Sequence, residues 1–159
     1  MIKKIALVAT LIVIGAFGYY ALSPLFRNVE VNESAPVVQT SSPDATDAEQ
    51  ATTTDPLLTG PQPITDTVAH PASGTARVTT DGVHYYVRYE DFKTINGPDI
   101  YVYLSKDLDA NEYVSLGRVK ATEGNVNYQI PDDINPEEYP YVLVWCRAFG
   151  VLFNSAKLY

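Results

Sequence analysis

Apolar positions divide the chain into three stretches of different character. From Ile5 to Phe26 apolar residues run on without a single charge. From 28 to 69 they are sparse and follow no period. From Gly74 onward they alternate with polar residues at a period of two, the signature of strands with one buried face.

The alternating stretch resolves into short strands separated by turns. Thr75–Thr79 reads as a strand ending at the hairpin signal Asp81-Gly82. In the next run Val83, Tyr85, Val87 and Tyr89 share the core face, and His84, Tyr86, Arg88 and Glu90 the solvated one. Asn96-Gly97-Pro98-Asp99 is a turn, followed by the strand Ile100–Ser105. Tyr113–Lys120 alternates around Val114, Leu116 and Arg118, and Asn127–Ile130 stops at Pro131. Tyr141–Cys146 is a continuous apolar run, which predicts burial on both faces. Gly150–Phe153 follows, and Ala156–Tyr159 adds a further short piece. No helical period is sustained after Phe26, although Pro136-Glu137-Glu138-Tyr139 suits a single turn. This predicts an all-β domain over 70–159, a small sandwich or barrel of about seven to nine strands. The 14 aromatic residues of that stretch supply core volume to a domain of marginal size.

Ile5–Phe26 holds 22 uncharged residues. As a helix they extend about 33 Å, enough to cross a hydrocarbon layer of about 30 Å. Lys3 and Lys4 precede the run and Arg27 alone follows it, which orients the N-terminus inward and the rest outward. Residues 1–27 are therefore read as a single-pass membrane anchor, and a cleaved signal peptide is the competing reading. Ala21 is the best cleavage position, with Tyr19 badly placed before it. Both readings carry the remainder out of the cytoplasm.

Charge and composition set apart 28–69, which carries seven acidic residues and no Lys or Arg. Clusters such as Thr40-Ser41-Ser42-Pro43 and Pro61-Gln62-Pro63 add turn formers, so a disordered acidic tether is expected. Eight basic residues against twelve acidic in 70–159, without a basic run, argue against nucleic-acid or anionic-lipid binding by the domain. A single cysteine excludes an intramolecular disulfide.

Few side chains offer chemistry. Cys146 closes an apolar run beside Trp145, where a small core residue is the plain reading and a redox thiol the sharper one. Arg147 would favour its thiolate, although adjacent strand residues point to opposite faces. His84 lies on the solvated face, and His70 precedes Pro71 where the domain begins, a position suited to packing. One Cys and two His match a blue-copper ligand count, but no His or Met follows Cys146, so no metal is assigned. The Asp107–Asn111 segment lacks the Gly and Glu of an EF-hand and reads as an acidic turn. Asp99 is expected to accept hydrogen bonds from the N–H groups of its turn. No nucleophile elbow, P-loop or zinc-protease motif is present, so a stand-alone enzyme is not indicated.

Five segments taken in order carry a family resemblance. They are Gly74–Val78, Tyr89–Phe92, Asn96–Ser105, Ser115–Pro131 and Tyr141–Leu158. Their combination of Asn-Gly-Pro-Asp, Leu-Gly, Gly-x-x-Asn-Tyr and Trp-Cys-x-x-Phe-x-Val-x-Phe resembles the DM-thirteen domain, a Skeletor-type electron-transfer domain, from about His70 to Leu158. The chain departs from the family pattern at Asn125 and Val126, where an acid and a Gln are usual. The resemblance implies a β-domain with a redox-active cysteine, which maps onto Cys146, and the candidate supporting residues around it are Trp145, His70, Asp99 and Arg147. It leaves the cofactor unknown. The expectation is a membrane-anchored extracytoplasmic module that exchanges electrons with a redox or surface protein partner. The alternative is a surface binding or adhesion module with a structural cysteine.

Overall fold

The computed structural model describes residues 10–19, 28–37 and 58–159. Among the described residues ten strands form: β1 Glu30–Asn32, β2 Gln62–Pro63, β3 Thr65–Asp66, β4 Ala72–Thr80, β5 Tyr85–Thr94, β6 Ile100–Ser105, β7 Tyr113–Arg118, β8 Glu123–Gln129, β9 Tyr141–Cys146 and β10 Val151–Lys157. They make two five-stranded sheets, ordered β1-β8-β5-β4-β2 and β3-β10-β9-β6-β7. The all-β expectation holds, and the architecture is a sandwich rather than a barrel. The suspected turn is a 3-10 turn at Pro136–Glu138, capped by the Asn135 side chain.

Period-two alternation fills the space between the sheets. Val78, Val87 and Tyr89 from the first sheet meet Val102, Leu104, Val142 and Val144 from the second in one buried cluster. Each such aliphatic side chain contributes about 1.5–3 kcal/mol when fully buried. The predicted core face of β5 holds only in part. Val87 and Tyr89 are buried, but Val83 is exposed in the β4–β5 turn, where the Asp81 carboxylate accepts from the Val83 and His84 amides. After Tyr89 the register with β8 slips at Glu90 and Asp91, and Asp91 takes a φ of 48°. The bulge shifts the phase, so Phe92 and Thr94 face inward.

Arg88, expected in solvent, is buried. Its guanidinium donates to Glu90 Oε1 at 2.9 Å, Asn127 Oδ1 at 2.9 Å and the Glu33 carbonyl at 3.2 Å. The cover comes from a stretch expected to be tether.

The expected disordered linker over 28–69 is corrected at both ends. β1 adds a parallel strand to the edge of β8, with Glu30, Val31 and Asn32 opposite Glu123, Gly124 and Asn125. The polar side chains that suggested disorder make this pairing. Asn32 Oδ1 accepts from the Asn125 side chain at 2.9 Å, and Glu33 Oε2 from the Asn127 amide at 2.7 Å. The Ser34 carbonyl accepts from the Asn127 side chain at 2.9 Å. At the other end β2 pairs with β4 and β3 with β10, so each covers an edge of its sheet. The ordered domain therefore begins ahead of residue 70, and the remainder of the expected linker, 38–57, lies outside the described residues.

Of the expected 22-residue span, residues 10–19 are helical and the flanks lie outside the described residues. Ten residues rise about 15 Å. Among the described residues no helix is long and apolar enough to cross a membrane. The apolar side chains of this helix are exposed: Leu11, Ile12, Val13, Ile14 and Phe17 cover no part of the sandwich.

The β1–β8 contact is close enough to test with one methyl group. Gly124 has φ +107°, and a Cβ there would run into the Val31 carbonyl, whereas Gly117, at φ +109°, faces open space. Both alanine variants carry backbone strain, but Gly124→Ala must also displace β1. A loss of about 1–3 kcal/mol is expected for Gly124→Ala and a smaller one for Gly117→Ala, read by denaturant unfolding. Equal losses would show that β1 adds nothing to stability.

Candidate functional site

Asp99, Trp145, Cys146 and Arg147, though not His70, converge where β6 begins and β9 ends. Strand alternation then divides them. Ile100 pairs with Cys146, and Tyr101 with Trp145. Cys146 therefore points into the core with Ile100 and Val102, and Trp145 points outward with Tyr101.

Cys146 is completely buried and belongs to the apolar cluster. Its backbone carbonyl accepts from the Gly150 amide at 2.9 Å, closing the tight β9–β10 turn. Among the described residues no group of His, Cys, Asp and Glu is arranged to hold a metal ion. Arg147 does not turn toward the thiol. Its guanidinium lies on the outer face, 3.0 Å from Asp99 Oδ2 and stacked over the Tyr101 ring at 4.0 Å.

Asp99 is the hub of this outer cluster. The turn-amide role expected for it goes instead to Asn96, whose Oδ1 accepts from the Gly97 amide. Asp99 accepts from Arg118 at 2.8 Å and from Arg147. These bonds from Arg118, then Arg147, hold its carboxyl below the usual aspartate range. The two guanidiniums remain mostly exposed, and Arg118 lies 5.7 Å from the Tyr101 ring. One carboxylate thus fixes two arginines against an aromatic surface, leaving an excess of positive charge.

Beyond Tyr101 the aromatic surface continues. Tyr101 and Tyr103 lie 6.3 Å apart between ring centroids, and Tyr113 on β7 stacks on Tyr103 at 4.1 Å. Tyr103 is covered, while Tyr113 is about half exposed. Burial, and then Tyr113, push the Tyr103 hydroxyl up to about 12. Tyr101, Tyr103, Tyr113 and Arg118 were not singled out from sequence. The available signal was Tyr101 and Tyr103, two residues apart on the outer face of a strand whose other face is Ile100, Val102 and Leu104.

The histidines stand apart from one another. His70 stacks on Phe153 at 3.9 Å and bonds Thr67 Oγ1 at 2.8 Å, so it packs as expected. His84 is not simply solvated, since it pairs with Asp132 at 2.8 Å at the opposite end of the sandwich. Asp107 closes its own turn by accepting from the Asp109 and Asn111 amides, in accord with an acidic turn.

The family model for electron transfer DM13 matches residues 65–158. No curated protein and no solved structure matches the chain. The match takes in β3 to β10 and leaves out β1 and β2.

The seal over Cys146 is directly measurable. In the folded protein the thiol is expected to resist alkylation, with complete labelling after unfolding. Rapid labelling under native conditions would place the thiol at the surface and contradict the packing described.

Proposed function

The chain belongs to the electron transfer DM13 family, and from that premise we propose that it is a membrane-anchored, extracytoplasmic electron-transfer module. Its exchange surface is the outer face of the β6–β7–β9 sheet. The observation that carries this reading is the array Tyr101, Tyr103 and Tyr113, fixed at one end by Asp99, Arg118 and Arg147. Oxidisable rings at these separations give electrons a short route along the face. Tyrosine and arginine are also the side chains most used to dock a partner protein.

The role of Cys146 follows from its burial. Thiol–disulfide exchange requires a thiolate attacking a disulfide sulfur, and a sealed thiol among Ile100, Val102 and Val144 meets neither the partner nor a base. Cys146 is then a packing residue lying behind Trp145. The redox step falls to the tyrosines. A one-electron oxidant, a metal or flavin centre of a partner, takes an electron from Tyr113. The phenolic proton passes to solvent and leaves a neutral tyrosyl radical. An electron from a reduced centre of the same kind and a proton from solvent restore the phenol. Tyr103, whose hydroxyl burial pushes up to about 12, lies beneath it.

The anchor is supported by the exposed apolar helix 10–19, whose side chains need an apolar surrounding that the sandwich does not provide. The Lys3 and Lys4 flank directs the domain outward.

A second reading, a binding module with a structural cysteine, is favoured by the same Tyr and Arg surface. Replacing Tyr101, Tyr103 and Tyr113 together by Phe separates the two. The rings and their stacking stay, but the phenols are lost. After photo-oxidation, the electron-transfer reading expects the tyrosyl radical signal of the native protein to fall several-fold in this variant and to persist in Cys146→Ala. An unchanged signal in the phenylalanine variant, or its loss in Cys146→Ala, would overturn the assignment.

A further inference from the structure

The two ends of the sandwich differ in chemistry, and the difference follows the direction of the chain. The connections 67–71, 95–99, 119–122 and 147–150 all lie at one end, where Glu30 of β1 also stands opposite Glu123. The connections 81–84, 106–112 and 130–140 lie at the other end. The first end is the one reached from the N-terminal helix. Eight residues separate residue 19 from residue 28, a reach of at most about 30 Å.

The first end exposes apolar side chains at its loop tips. Val68 is fully exposed and Phe149 is 71% exposed, with Val29, Ile95 and Val151 partly exposed around them. Its connections carry Lys120 and Arg147 against Asp99, and the adjoining strand ends carry Arg118 and Lys93 against Asp66, Glu30 and Glu123, so this end is close to neutral. The connections of the opposite end carry eight carboxylates, such as Asp107 and Glu138, against Lys106 alone. Val83 and Leu108 are exposed there too, but each has aspartate neighbours in its own turn.

We infer that the end bearing Val68, Phe149, Arg118 and Arg147 seats directly on the outer surface of the bilayer. The inference rests on the anchor reading given above. The occupant is a phospholipid surface rather than a protein. Apolar tips among arginines suit the headgroup and upper acyl layer. The near-neutral end meets anionic headgroups without net repulsion, whereas the acidic far end is repelled by them. β1 completes the argument, because it ties the chain emerging from the membrane to the edge of this end and leaves no long tether there. The array from Tyr101 to Tyr113 then runs upward from the membrane along one face, with Tyr113 near the far end.

The test uses the full chain reconstituted in phosphatidylcholine vesicles containing phosphatidylglycerol, with a quencher on the lipid headgroups. A fluorophore is attached at Ala148→Cys in one protein and at Val83→Cys in another, the buried Cys146 remaining unlabelled. Strong quenching at position 148 and little at position 83 is expected. Adding Val68→Asp and Phe149→Asp to the Ala148→Cys protein should abolish the quenching at 148 without loss of fold, read by circular dichroism. If the protein withstands a carbonate wash yet the label at 148 is unquenched, or is quenched no more than that at 83, the seating is overturned and the anchor stands. Release by the wash overturns the anchor and the seating together.

Discussion

The pairing of β1 with β8 is the constraint on which the rest of the architecture turns. β8 would otherwise be a sheet edge with unmet amides at Asn125 and Asn127. Asn32 and Glu33 meet those amides with their side chains, while the Glu33 amide donates to the Asn125 carbonyl at 2.8 Å. The buried guanidinium of Arg88 depends on the same segment, since the Glu33 carbonyl is one of its acceptors. A stretch of seven residues thus closes an edge, satisfies a buried charge and fixes where the chain joins the sandwich.

The parts of the fold legible in sequence were those governed by period two. β9 matches the apolar run Tyr141–Cys146 residue for residue, because β-branched residues and Leu facing two apolar surroundings leave no other pattern. The bulge at Glu90 and Asp91 was not legible, because a phase shift of one residue leaves no compositional mark. β1 was hidden for a different reason. Its residues are Glu, Val and Asn, and their bonds are to a strand more than 90 residues away. Local composition describes what a segment does alone in water, and here the partner decides.

The site shows the same division. Cys146 and Trp145 were found from their place at the end of an apolar run, and alternation foretold that Arg147 would face away from the thiol. The role of Asp99 was misassigned because its partners are distant in sequence, Arg118 at the end of β7 and Arg147 in the β9–β10 turn. The tyrosines were overlooked individually because a strand tyrosine is ordinary. Only the register of β6 with β7 shows that Tyr103 and Tyr113 stack. The family membership gives the domain its electron-transfer association, and the packing moves attention from the buried thiol to the aromatic face in front of it.

The proposed anchor and the proposed exchange face form one arrangement if the segment after the helix is a true strand of the sandwich. Amide hydrogen exchange on the full-length protein in a bilayer tests this most directly. The amides of Glu33, Asn125 and Asn127 should exchange slowly, with protection approaching that of the β9 amides. Exchange of these three at the rate of unstructured chain, with β9 still protected, would show that the segment is a free tether and that the domain is not held at the membrane surface.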